Sequence, residues 1–139
     1  MPQEFSAGAV VFRKEKGGPL YLLLHYESGH WDFVKGNVEK GESAKQTAER
    51  ETAEEAGISD LEFLEGFREK IEYFYRREGE TVHKQVVFLL AETKTKDVKL
   101  SFEHIGSEWL DCRAARERLT YDNAKEILDK AHAFLVKKK

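Results

Sequence analysis

Between Gly36 and Ile58 the chain reads a glycine, five residues, Glu42, seven residues, and then Arg50-Glu51-Thr52-Ala53-Glu54-Glu55-Ala56-Gly57-Ile58. A helix is predicted over 43–56. Ser43 and Gln46 have the spacing of a capping box, and Gly57 stands where a helix commonly ends in a left-handed residue. On that helix Glu51, Glu54 and Glu55 fall at i, i+3 and i+4 and share a face. Each like-charged pair costs about 0.2–0.5 kcal/mol in an isolated helix. The cluster also lies near the helix C-terminus, where the macrodipole disfavours negative charge. A fold that brings a cation to this face relieves both costs. Oxygen ligands with no histidine or cysteine among them suit a hard ion, Mg²⁺ or Mn²⁺. The bland alternative is a solvated acidic face paired with Lys45 and Arg50.

The remaining pattern surrounds this helix with strands. Apolar residues cluster at 7–12 and 20–26, with Gly17-Gly18-Pro19 between them, which predicts a hairpin. Residues 61–75 and 82–92 are rich in β-branched and aromatic side chains. They flank Arg77-Glu78-Gly79-Glu80 and predict a second hairpin, and Glu108-Trp109-Leu110 predicts a short strand. Ala124, Ile127, Leu128, Ala131 and Leu135 recur every three or four residues, so the last segment is a helix with one apolar stripe against a sheet. Strands and helices mix without regular βαβ alternation. The expected class is therefore α/β of the mixed α+β kind, a mixed sheet covered by helices on both faces.

A chain of 139 residues has the usual size of one domain, and a single domain over 1–139 is expected. A net charge of −3 argues against a general nucleic-acid-binding surface. Cys112 is the only cysteine, so no intrachain disulfide can form, as suits a reducing cytoplasm. It has no nearby basic pair to activate it and is expected to be inert. Residues 1–5 lack signal-peptide character, and no apolar run approaches the roughly 18 residues that span a bilayer. The expectation is a soluble cytoplasmic protein with no membrane, nucleic-acid or obligatory protein partner. The Lys137-Lys138-Lys139 tail is expected to be solvated.

The 36–58 window resembles the Nudix box, matching it at every polar and glycine position. Thr52 is the one departure, where the pattern prefers an aliphatic residue facing the core. The resemblance implies a Nudix-type α/β/α sandwich and a metal-dependent hydrolase. Carried over by position, Glu51, Glu54, Glu55 and the Gly36 carbonyl are the metal ligands. Arg50 orients Glu51 or Glu54, and Glu42 supports the site, through a metal-bound water in one version.

The flanks narrow the resemblance. Trp31-Asp32-Phe33-Val34-Lys35-Gly36-Asn37 is similar to the Trp-x-x-Pro-Lys-Gly-His/Asn stretch of diadenosine tetraphosphate hydrolases, with Val34 in place of proline as a departure expected to loosen the turn. The likeness continues through 84–91, Glu103-His104, Trp109-Leu110 and the last helix. It implies asymmetric cleavage of diadenosine tetraphosphate, a small-molecule nucleotide, to ATP and AMP. Other nucleoside polyphosphates, or a nucleotide-sensing module, are the alternatives. Lys35 and Lys84 become candidates for the polyphosphate, with a solvated lysine as the other reading. Glu103 is a candidate metal ligand or base, or else an ordinary loop acid. Tyr121 is a candidate for stacking on adenine or for packing at the helix start. Tyr73 and Tyr75 are alternative platforms. His30, His83 and His104 are expected at the surface, and Trp31 and Trp109 in the core.

Overall fold

The computed structural model describes residues 1–137; Lys138 and Lys139 of the expected solvated tail lie outside the described residues. The first hairpin forms as expected, from β1 (Gln3–Glu15) and β2 (Gly18–Tyr26). Next come β3 (Trp31–Asp32), β4 (Val34–Asn37) and α1 (Ala44–Ala56). The second expected hairpin is shorter than its apolar run. β5 (Glu62–Phe63) is separate, and the hairpin itself is β6 (Glu69–Arg77) with β7 (Glu80–Glu92). Arg77 pairs with Glu80 across Glu78 and Gly79, both in the left-handed region. That is the backbone a tight hairpin turn needs. The chain ends in β8 (His104–Leu110), α2 (Cys112–Arg118) and α3 (Asp122–Lys137).

The helix over 43–56 is built as its sequence implies. The Ser43 hydroxyl accepts from the Gln46 N–H, and the Gln46 side chain accepts from the Ser43 N–H. Gly57 takes the left-handed conformation at the C-terminus and donates to the Ala53 carbonyl. β8 runs four residues further back than expected, and α2, started by an Asp111 cap on the Ala114 N–H, was not foreseen. Seven residues with two apolar side chains that pack give too short a period to read.

β1 is the spine of the mixed sheet. It pairs in parallel with β7 over Gln3 to Phe12, and antiparallel with β4 and β2 along its opposite edge. Side chains alternate along β1 and β2, and both faces are buried. Val10, Phe12, Tyr21 and Leu23 meet Ala115, Ile127, Leu128 and Ala131 of α2 and α3. Ala9, Val11, Leu22 and Leu24 meet Ala48, Ala56 and Ile58. Helices thus cover both faces, giving the α/β/α sandwich, and the continuous apolar runs follow from double-sided burial. Thr52 is fully buried and its hydroxyl donates to the Ala48 carbonyl, so the polar departure in the box is satisfied within the helix. Trp31 and Trp109 are half-buried at the edges of the two clusters. Val34 does not loosen the chain. It is buried and opens β4 opposite Ala9, a ladder position that a proline would leave without an N–H to donate. Among the described residues no helix is long and apolar enough to cross a membrane.

Gly8 sets how closely β4 approaches β1. A Cβ there would overlap the Val34 carbonyl oxygen and press on Lys35. Gly8→Ala should therefore cost about 1–3 kcal/mol, the usual range for overpacking. Urea denaturation measures this directly, and an unchanged midpoint would show that β4 can move away freely.

Candidate active site

α1 lays a stripe of small side chains, Ala48, Thr52 and Ala56, against the sheet, and Glu55 belongs to the same stripe. The three helix glutamates therefore grade from interior to solvent. Side-chain exposure is 8% for Glu55, 13% for Glu51 and 58% for Glu54. Glu51 folds back over Gly36 of β4, so closely that a Cβ at that position would coincide with its carboxyl group. This close approach, rather than any turn, is what requires glycine at position 36.

Arg50 holds the arrangement. Its Nε and Nη2 donate to the two carboxylate oxygens of Glu42 at 2.7 and 3.0 Å. Nη1 donates to Glu51 at 2.7 Å and Glu54 at 3.0 Å, and Nη2 also donates to the Asn37 carbonyl at 3.0 Å. Arg50 thus bonds to both Glu51 and Glu54 at once. Glu42 supports this arrangement through Arg50. Its carboxylate accepts from Arg50, the Thr47 hydroxyl and the Glu39 N–H, which hold it well below the usual carboxylate range, at about 2. With its oxygens so engaged, it anchors Arg50.

Glu55 lies beyond the reach of Arg50. Burial, then a hydrogen bond with Glu51, then the negative charge of Glu51, Glu103 and Glu54 push its carboxyl up to about 9. Its Oε1 is buried with no hydrogen-bond partner, and 3.6 Å away lies His104 Nε2, likewise buried and unpartnered. His104 was expected at the surface. Its side chain is fully enclosed because the 101–104 segment docks on the end of α1, Ser101 N–H donating to the Glu55 carbonyl and Lys99 N–H to the Ala56 carbonyl.

One cavity of about 600 Å³ gathers Gly36, Glu51, Glu54, Glu55 and Glu103 with Lys35 and Lys84. A neighbouring cavity is lined by His30, Ile71, Tyr73, Tyr121 and Asn123, and the two share Tyr26, Lys35 and Lys84. Lys35 pairs with Asp32 at 3.0 Å; burial disfavours its charge, but Asp32 together with Tyr73 and Tyr121 outweighs it and the ammonium is raised. Lys84 is lowered by burial and by Lys35, with Glu4 at 3.8 Å opposing. Two lysines thus converge between an acidic cavity and an aromatic one. Tyr73 and Tyr121 line the aromatic cavity. Tyr75, expected with them, does not: two residues further along β6, its hydroxyl donates to Glu4. His83 is half-buried and stacks on Phe74 across the β6–β7 ladder. The lone thiol of Cys112 is raised by burial, in keeping with an inert residue.

The donors suit a divalent cation. They are all oxygens, Gly36 leaves room for the Glu51 carboxylate, and two carboxylates sit close enough that one retains a proton. Among the described residues no three acidic or imidazole side chains already converge as a metal cluster. Arg50 draws Glu51 and Glu54 to itself, so the carboxylates share a cavity wall and not a single point.

The NUDIX domain family matches residues 2–131. A bis(5'-nucleosyl)-tetraphosphatase [asymmetrical] of Rattus norvegicus is 40% identical, covering 94% of this chain and 94% of its own length. The Caenorhabditis elegans protein of the same name is 37% identical over 94% of this chain and 95% of its own. The crystal structure of a C. elegans Ap4A hydrolase binary complex superposes with a TM-score of 0.85 at 35% identity, covering 96% of this chain and 98% of that one.

The raised Glu55 carboxyl fixes a pH dependence. Its proton stabilises the folded state fully below the ordinary value of 4.5, and this contribution is lost as pH rises toward about 9. A cation that replaces the proton restores the loss. Added Mg²⁺ should therefore raise Tm more near pH 9 than near pH 5. Thermal unfolding with Mg²⁺ and with EDTA across that window is the check, and a shift independent of pH would contradict it.

Proposed function

This chain belongs to the NUDIX domain family and is a Nudix hydrolase, and from that premise we propose that it cleaves bis(5'-nucleosyl) tetraphosphates asymmetrically, diadenosine tetraphosphate to ATP and AMP. The observation that carries the reading is the pair of adjoining cavities, one aromatic and one lined by carboxylates, with Lys35 and Lys84 at their junction. A dinucleoside polyphosphate has the matching order of groups: base, anionic chain, scissile anhydride. The relatives named for this activity align along nearly their whole length.

Glu51, Glu54, Glu55, Glu103 and the Gly36 carbonyl would hold the divalent cation on which Nudix hydrolases depend, and oxygen-only donors favour Mg²⁺, with Mn²⁺ as a substitute. When bound, the cation lowers the pKa of water and neutralises charge on the phosphoryl oxygens. The chain's own side chains do the rest. Lys35 and Lys84 hold the phosphates as point charges, and Tyr121 with Tyr73 holds one base. Arg50 keeps Glu51 and Glu54 in place. Glu103 stands on its own segment outside the Arg50 net, and is the candidate beyond the box to take the proton from the attacking water. The half-buried lone thiol of Cys112 suits a reducing cytoplasm.

On this reading, the bond cut is set by where the base is held. A base fixed in the aromatic cavity sets a constant number of phosphates out to the glutamates. Attack at the phosphorus fourth from the held adenosine gives ATP and AMP. Hydrolysis in ¹⁸O-labelled water should place the label in AMP, read by mass spectrometry. ADP as the main product would end the asymmetric reading while leaving the family assignment intact.

Tyr121 is 48% exposed at the start of α3, where its carbonyl accepts from Ala124 and Lys125. Base stacking on an aromatic is worth about 1–3 kcal/mol. A base held far from the reacting phosphorus is bound alike in ground and transition states. Tyr121→Ala should therefore raise KM by about 5- to 150-fold with little loss of kcat. Steady-state kinetics decide, and an unchanged KM would return the ring to a packing role.

A further inference from the structure

We propose that His104 is a positioning residue for Glu55: its Nε2–H, fixed in direction by Ser101, donates to Glu55 Oε1 and leaves the second carboxylate oxygen for the cation. The inference rests on the reading above that Glu55 helps to hold that cation.

The two atoms concerned are Glu55 Oε1 and His104 Nε2. Both are buried, neither has a hydrogen-bond partner, and they stand 3.6 Å apart. At that separation they are not yet bonded, and a movement of roughly 0.5 Å brings them within ordinary range. Leaving two buried polar atoms unpaired is costly, and each is the other's nearest remedy.

The tautomer follows from the other ring nitrogen. Nδ1 lies 3.0 Å from the Ser101 hydroxyl. If that hydroxyl donates to Nδ1, the ring proton sits on Nε2 and points at the carboxylate. Once a cation displaces the proton of Glu55 its carboxylate is ionised, and the opposite tautomer would set an imidazole lone pair against that buried oxygen, which repels it. The ring has little freedom to turn. Tyr26 meets it edge-on, with centroids 4.4 Å apart, and the His104 N–H donates to the Ser101 carbonyl.

The same segment serves two ends. Docking Ser101 onto the Glu55 carbonyl buries His104, and the next residue back along the chain, Glu103, then lines the carboxylate cavity. A histidine that orients a liganding carboxylate acts on the reaction at one remove. Loss of such a partner typically costs about 10- to 100-fold in metal affinity or activity.

A pair of variants separates positioning from packing. Gln places its amide nitrogen where the imidazole has Nε2, and Asn places its own where the imidazole has Nδ1. His104→Gln should stay within about threefold of wild type in kcat and in Mg²⁺ affinity by calorimetry. His104→Asn should lose about 10- to 100-fold in both with KM little changed. Equal losses in the two variants would assign the ring to packing, and no loss in either would remove its role. If either variant fails to fold, the wild-type enzyme with Mg²⁺ decides by long-range ¹H–¹⁵N NMR of the imidazole. Protonation at Nε2 is expected, and protonation at Nδ1 overturns the proposal. None of these readouts identifies the substrate, so failure of the tetraphosphate reading would be seen separately, in the products formed by the wild-type enzyme.

Discussion

A single guanidinium ties the first turn before α1, the body of α1 and the end of β4 together. Arg50 donates to Glu42 ahead of the helix, to Glu51 and Glu54 on it, and to the Asn37 carbonyl at the end of the strand. The rigid, forked set of donors is what makes this possible; the compact ammonium of a lysine could not reach acceptors in so many directions. The net explains why an acidic cluster near a helix C-terminus is tolerated. Arginine compensates the two outer glutamates and leaves the third, Glu55, buried beyond its reach, with a proton where a cation would fit.

β1 gives this net its surroundings. One edge of the strand holds β7 and with it Lys84; the other holds β4 and with it Lys35 and Gly36. Glu4 of the same strand pairs with Lys84 and accepts from Tyr75. Parallel pairing of β1 with β7 thus sets the distance between the two lysines, and Gly8 sets the approach of β4. The acidic wall, the lysines and the aromatic cavity owe their order to strand register, and a shift of one residue would turn each of these side chains to the opposite face.

The segment that closes the site from the far side shows how secondary structure is put to chemical use. Residues 99–104 are mostly irregular, yet their backbone is bonded to the last turn of α1. That docking satisfies helix carbonyls that would otherwise lack partners and encloses an imidazole beside a carboxyl.

Much of this was legible along the chain, where local chemistry decides. The capping box at Ser43 and Gln46, the left-handed Gly57 and the Glu51, Glu54, Glu55 spacing delimit α1 and its acidic face, because caps and i, i+4 neighbours depend only on residues a turn apart. The apolar runs at 7–12 and 20–26 gave β1 and β2 for the same reason. Other features lay beyond such a reading. The division of residues 61–75 into β5 and β6, the burial of His104, the use of Glu42 as an anchor for Arg50, and the presence of Tyr73 but not Tyr75 at the aromatic cavity all depend on partners 8 to 71 positions away. Spacing names the side chains on one face of one element. Which of them meets a cavity, a guanidinium or a buried carboxyl is fixed by the register between elements, and that register is a property of the packed sheet.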